Sequence, residues 1–276
     1  MSETSPSDSD TRNESSDACI TTSTEHAVAT VTLHQPARRN AMRLSMWAAL
    51  TKTLAALRDD DDVRVVIVTG AGEQAFCAGA DISEFKTLRT EPEQAHHYDR
   101  ITHEACSALG DFPKPIIGLI RGSCIGGGME LALLCDIRLC DESARFAVTP
   151  AKLGLGYNLD DTQLLVDRLG APAAREILFT GRIFMPDEAL RLGIVNRVVA
   201  DTELAATVNG YATDIAANAP ITVRASKAII AEATKMPSDR DVETCDAWVN
   251  KCYASDDFVE GQRAFAEKRK PRFSGQ

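Results

Sequence analysis

The chain has 276 residues, 44% of them hydrophobic and 5% aromatic, with a formal net charge of −10. That length suits one large domain with an aliphatic core, or one domain plus an appendage. The acidic balance excludes nucleic acid as the main partner, because phosphate backbones need a basic face, and no apolar run reaches the ~20 residues that span a bilayer.

Residues 1–20 are almost wholly Ser, Thr, Asp and Glu as far as residue 18, and they read as a disordered leader. "HAVATVTL" (26–33) alternates like a strand, "LSMWAALTKTLAALRD" (44–59) has helical periodicity, and "DDDD" (59–62) is a solvated turn. "VRVVIVTG" (63–70) and "PKPIIGLIRG" (113–122) are apolar runs of the kind buried on both faces of a parallel sheet. "DIRLC" and "ARFAVT" follow as short strands. Helical patterns then cover 161–169, 172–179, 186–192, 202–218, 221–235, 238–254 and 257–268. The expected organisation is a leader (1–20), an α/β core (21–200) built on a ββα rhythm, and a helical C-terminal region (201–276). Eight cysteines show no C-x-x-C pair and no histidine at zinc spacing. They read as reduced core thiols of a cytoplasmic protein, and no metal site is expected.

Two glycine-bearing loops carry the chemistry. Gly70, Gly72 and Ala75 satisfy G-x-G-x-x-A after a strand, so a dinucleotide site is one reading. The context opposes it: "FCAGAD" brings a second small-residue turn where a helix should open, and no Tyr-x-x-x-Lys pair supplies an acid. The other reading joins "FCAGAD" to "GGGME". Small residues let backbone N–H groups approach a ligand, and a helix N-terminus adds positive potential. Two amides aimed at one oxygen make an oxyanion hole, each donor worth ~2.7–4 kcal/mol in a transition state. Such a hole suits a thioester that becomes an enolate.

"AFCAGADISEF", "PKPIIGLIRGSCIGGGMELALLCDIRL", "FTGRIFMPDEALRLGIVNRVV" and "AFAEKRKPRF" occur in that order and resemble the crotonase superfamily, the enoyl-CoA hydratase/isomerase family. The resemblance spans about residues 25–274. It implies a crotonase-like ββα spiral core, a helical C-terminal trimerisation region giving a homotrimer or dimer of trimers, an acyl-CoA thioester as ligand, and no cofactor beyond the CoA moiety of the substrate. By that match the oxyanion donors are the amides of Ala80 and Gly127, and Glu130 is one of two hydratase glutamates. CoA contacts fall to Arg38, Arg39, Ala78, Asp81 and Ile82. Phe265 and Lys268 match residues commonly given by a neighbouring subunit. Ser83 stands where hydratases often carry a lysine.

The second hydratase glutamate falls at Pro150, which cannot transfer a proton. Asp160 or Asp161 could return a carboxylate to the pocket; capping of the following helix is the plainer role for them. "TPAKLGLGYNL", with Thr149 and Tyr157, locally resembles methylmalonyl-CoA decarboxylase, whose two matching residues line the carboxylate end of the pocket. The decarboxylase has a histidine where this chain has Ala80. Hydration or isomerisation of an enoyl-CoA is therefore the leading expectation. Decarboxylation of a malonyl-type thioester and non-catalytic CoA binding are the alternatives. His96, His97 and His103 lie on a polar helical segment and read as a solvated face.

Overall fold

The computed structural model describes residues 18–88 and 90–276. The expected leader lies outside the described residues as far as residue 17, but its last two positions do not. Cys19 and Ile20 open strand β1 (Cys19–Glu25), which pairs antiparallel with β2 (Val28–His34) from Cys19↔His34 to Glu25↔Val28. The boundary at residue 20 is thus corrected. An edge strand tolerates the polar, exposed side chains that read as leader. The hairpin turn was illegible because His26 and Ala27 take positive φ, 48° and 65°, where Asn-Gly is the usual signal.

A 3-10 turn at Pro36–Arg38 leads to helix α1 (Leu44–Asp59), which matches the expected range. Strands β3 (Val65–Gly70) and β4 (Ala75–Cys77) follow, then helices α2 (Phe85–Leu88) and α3 (Pro92–Gly110). The next turn of the chain is β5 (Ile116–Ile120), β6 (Ser123–Ile125) and helix α4 (Gly127–Leu134). The third is β7 (Ile137–Asp141), β8 (Arg145–Ala147), α5 (Pro150–Leu153) and α6 (Leu159–Thr180). Within α6 the backbone breaks at Gly170 (φ 79°), ahead of Pro172, which is why the sequence reads as two helices there. Helix α7 (Pro186–Arg191), strand β9 (Arg197–Val199) and helices α8 (Asp201–Ala217), α9 (Pro220–Thr234), α10 (Val242–Tyr253) and α11 (Asp256–Ala266) complete the order.

Each turn places one strand in a six-stranded sheet ordered β1-β2-β3-β5-β7-β9 and the next in a three-stranded sheet ordered β4-β6-β8. From β2 onward all the pairings are parallel. This is the expected ββα spiral. Strand β3 is buried on both faces. Val65 and Ile67 pack with Leu204, Val208 and Ala212 of α8, while Val66 and Val68 face Leu50, Leu54, Leu109 and Leu131 in the larger core. In the second sheet β8 was read within "ARFAVT", but β4 and β6 went unread because three-residue strands inside glycine loops are too short to show a period of two. Its function is positional: β4 and β6 are hydrogen-bonded neighbours, so the loops that leave their C-terminal ends must lie side by side.

Candidate active site

Three consecutive glycines open α4, and two have distinct geometric reasons. Gly126 is the N-cap residue, with φ 54° and ψ −121°, a conformation that strains any residue bearing a Cβ. Gly128 lies against β4, where an added Cβ would stand 2.1 Å from the Cys77 carbonyl oxygen. Gly127 lies between them as the first helical residue, and its amide has no acceptor among the hydrogen bonds of the described residues. The Ala80 amide likewise has none. The two loops touch: a Cβ on Gly79 would lie 3.5 Å from the Gly127 nitrogen and 2.9 Å from the Ile125 carbonyl.

The first loop is held by polar bonds that the sequence did not disclose. Asn40, fully buried, donates through Nδ2 to the carbonyls of Ala71 and Ala75 at 2.9 and 2.7 Å, and accepts from the Gln35 amide at 3.0 Å. Its φ of 55° is one that asparagine tolerates better than most residues; the "RRN" turn carried that signal. The side chain of Asp81, a residue expected at the CoA, is turned inward. It is 5% exposed, with its carboxylate accepting from the amide and hydroxyl of Ser83 and from Gln35 Nε2. These bonds hold its carboxyl below the usual carboxylate range against the opposing effect of burial. Asp81 thus pins the loop to the 35–42 turn. The Gly79 carbonyl accepts from the Met42 amide at 2.7 Å, and the Asp81 amide donates to Met42. Glu84 caps α1, accepting from the Leu44 amide and from Arg43.

Glu130 is the single charged residue of α4. Its neighbours Met129, Leu131, Ala132 and Leu133 are fully buried, and its own side chain stays partly accessible. Burial of the carboxyl, assisted by the Asp161 carboxylate, pushes its pKa up to about 7, while the Tyr157 hydroxyl, which donates to Glu130 Oε1, pulls the other way. Burial and the adjacent Glu130 charge raise the Tyr157 phenol well above its ordinary value, so it stays a proton donor. A Cβ on Gly127 would lie 3.8 Å from Glu130 Oε2 and 3.4 Å from the Trp47 ring. Gly127, Glu130 and Tyr157 therefore converge, with Ala80 beside them.

The two aspartates separate. Asp160 is exposed and lies 3.6 Å from His103 Nδ1. Asp161 is half-buried, and its own carboxyl is raised, by burial first. Neither caps α6: that place belongs to Asn158, whose Oδ1 accepts from the Asp161 amide at 2.8 Å. Pro150 stands at the first position of α5, a place proline favours. Thr149 is the half-buried N-cap residue of α5 and makes no side-chain capping bond.

Of the expected CoA residues, Ala78 donates its amide to the Arg39 carbonyl. Arg38 and Arg39 are exposed beside this loop, as is Ile82. Phe265 (87% exposed) and Lys268 are carried on and after α11, which packs on α10. His96, His97 and His103 are exposed on α3. Among the described residues no three His, Cys, Asp or Glu side chains are grouped to hold a metal ion, and no helix is long and apolar enough to cross a membrane.

Residues 23–276 match the family model described as Enoyl-CoA hydratase/isomerase. The chain is 34% identical over 246 residues to a short-chain-enoyl-CoA hydratase of Clostridium acetobutylicum, covering 89% of this chain and 94% of that protein. It is 34% identical to the (E)-benzylidenesuccinyl-CoA hydratase of Thauera aromatica, covering 93% and 99%. The crystal structure of an enoyl-CoA hydratase/carnithine racemase from Magnetospirillum magneticum superposes with a TM-score of 0.87 at 40% identity, covering 93% of this chain and 96% of that one. Spiral core, paired strand-end loops and sequence likeness over nine tenths of the length agree, and the chain belongs to the enoyl-CoA hydratase/isomerase family of the crotonase superfamily.

Proposed function

We propose that the protein adds water reversibly to a 2-enoyl-CoA, with Glu130 as the single acid/base. The observation that carries this reading is the buried Glu130 carboxyl, titrating at about 7 and bonded by Tyr157, directly behind the free Gly127 amide. A carboxyl tuned near working pH can both take and return a proton. In the forward direction Glu130 takes a proton from water as its oxygen bonds to C3. The C2–C3 π electrons move onto the thioester oxygen, where the amides of Ala80 and Gly127 steady the enolate. The enolate collapses, and Glu130 returns the proton to C2. Tyr157 keeps one carboxylate oxygen occupied, so the other, Oε2 on the Gly127 side, faces the reaction. Asp161, not Asp160, is the carboxylate that acts on Glu130, and it stands in electrostatically for the acid missing at Pro150.

Decarboxylation of a malonyl-type thioester is the weaker reading. The Tyr157 hydroxyl, needed to hold the leaving carboxylate, is already committed to Glu130. Arg38, Arg39, Ala78 and Ile82 flank the CoA in this reading, with Phe265 and Lys268 supplied by a second copy. Exposed apolar residues on α9–α11, among them Ile230, Val242 and Val259, support such a homotrimer. The eight unpaired thiols support a cytoplasmic setting.

The test is turnover of crotonyl-CoA, followed by loss of the conjugated thioester absorbance, in parallel with CO2 release from methylmalonyl-CoA. Hydration that disappears in Glu130→Gln supports the proposal. CO2 release without hydration replaces it with decarboxylation. CoA binding with no turnover of either thioester makes the protein a CoA binder.

A further inference from the structure

The spiral has two ends. The glycine loops lie at the C-terminal ends of β4 and β6. At the opposite end, where β3 and β5 begin, a cavity of about 220 Å³ is lined by Arg64, Lys114 and Arg224, together with Asp61, Pro220 and Gly275. None of these residues belongs to the thioester site. Among the described residues, none of the three cations has an ion-paired carboxylate, in a chain of net charge −10. Lys114, 3% exposed, donates to the carbonyls of Leu57 and Asp60, which end α1. Arg64 donates to the carbonyls of Ala216 and Phe273. The Arg224 side chain makes no hydrogen bond among the described residues, and its Nε is buried.

A buried guanidinium N–H without an acceptor is costly, and more so beside other cations. Burial and then the charge of Arg224 hold Lys114 below its ordinary value, while the acids of the Asp59–Asp61 turn oppose them. Positive groups thus gather around a half-open cleft whose lining also carries the Asp61 carboxylate and Gln276, with Asp59 and Asp60 close enough to act on Lys114. The volume lies below the ~300 Å³ of a typical organic-ligand site. It suits a compact ion or a single phosphate group.

We propose that this cavity is an oxyanion site, separate from the thioester site, that takes a phosphate-type dianion. Arg224 supplies the guanidinium fork, whose planar donors match tetrahedral oxyanions, and Arg64 adds charge while both its terminal nitrogens stay on the Ala216 and Phe273 carbonyls. Lys114 adds charge while its hydrogens remain on α1. The bound anion completes the hydrogen bonding of Arg224 and ties the start of α9 to the ends of the core strands.

The experiment uses the full chain and titrates inorganic phosphate, by calorimetry and by thermal melting, with sodium chloride compensating ionic strength. Expected is saturable binding in the millimolar range, with a melting temperature that rises as the site fills. Arg224→Gln weakens binding at least tenfold and leaves crotonyl-CoA turnover as in the wild type. Asp61→Asn, which removes the opposing carboxylate, tightens binding several-fold and guards against a folding defect in Arg224→Gln. Adenosine 3′,5′-bisphosphate competing with phosphate identifies a phosphate ester as the source; phosphate binding alone identifies the free ion. The site is overturned by no saturable signal beyond the salt control, by equal binding in Arg224→Gln, or by weaker binding in Asp61→Asn.

Discussion

Glu130 and Glu260 are both withdrawn from water, and the chain treats their protons in opposite ways. Glu260, on α11, accepts from Arg263, from two nitrogens of Arg269 and from the Arg272 amide, and these bonds hold its carboxyl well below the usual range. Glu130 receives one neutral phenol, with an aspartate nearby, and is pushed up to about 7. Burial without a cationic partner leaves Glu130 able to exchange a proton, whereas the charge and number of its donors make Glu260 a fixed anion. Glu260 clamps the C-terminal tail, helped by Asp257, which accepts from the amides of Ser274 and Gly275. The comparison therefore separates a carboxyl held as an anion by cationic donors from one that burial leaves able to exchange a proton.

The largest expected effect tests the working half. Glu130→Gln removes the proton carrier, and crotonyl-CoA turnover should fall by ~100- to 10,000-fold. Gly127→Pro, which deletes the donor amide, should reduce turnover by ~100-fold or more, with circular dichroism reporting whether α4 persists. A normal rate in either variant would break the assignment.

Stability should move the other way. The folded-state pKa of Glu130 is raised above its unfolded value, so the native protein binds the extra proton between about 4.5 and about 7. Its ionisation therefore removes stability as pH rises through that window, by ~3 kcal/mol at the upper end. Glu130→Gln should lack this loss and be more stable than wild type at pH 8 in urea. Glu260 has the opposite sign: its depressed pKa contributes stability above about 4.5 that is lost as pH falls. Acid melts of Glu260→Gln should show a shallower dependence on pH, with the turnover profile unchanged.

The finest test shifts Glu130 in two directions. Turnover should rise through about pH 7 as the base ionises. Tyr157→Phe removes the donor that lowers the pKa and should move the profile to higher pH. Asp161→Asn removes the charge that raises it and should move the profile to lower pH. Asp160→Asn should leave it in place, since Asp160 faces His103 in solvent.

What was legible followed from local pattern. The run of glycines marked the start of α4, because Gly126 and Gly128 are demanded by backbone conformation and close approach. Helix α1 was legible from its periodicity. Partners brought together by topology were not legible: Tyr157 reaches Glu130 across 27 positions, and Asn40 reaches Ala71 and Ala75 by way of a left-handed turn. The anchoring role of Asp81 was not legible either, because sequence alone does not show that its carboxylate is consumed by Ser83 and Gln35. Asp160 and Asp161 are adjacent in sequence, and only the helix start at Asn158 turns one inward and the other out.

Gly128 rests directly on the Cys77 carbonyl, so the spacing of the two strand-end amides is set by main chain against main chain. Side chains around the two loops can consequently be exchanged without changing that spacing. Substitutions on α3, α5 and the 155–161 segment are therefore expected to leave the two amides where they are. A Cβ at position 128, 2.1 Å from the Cys77 carbonyl oxygen, would force the two loops apart.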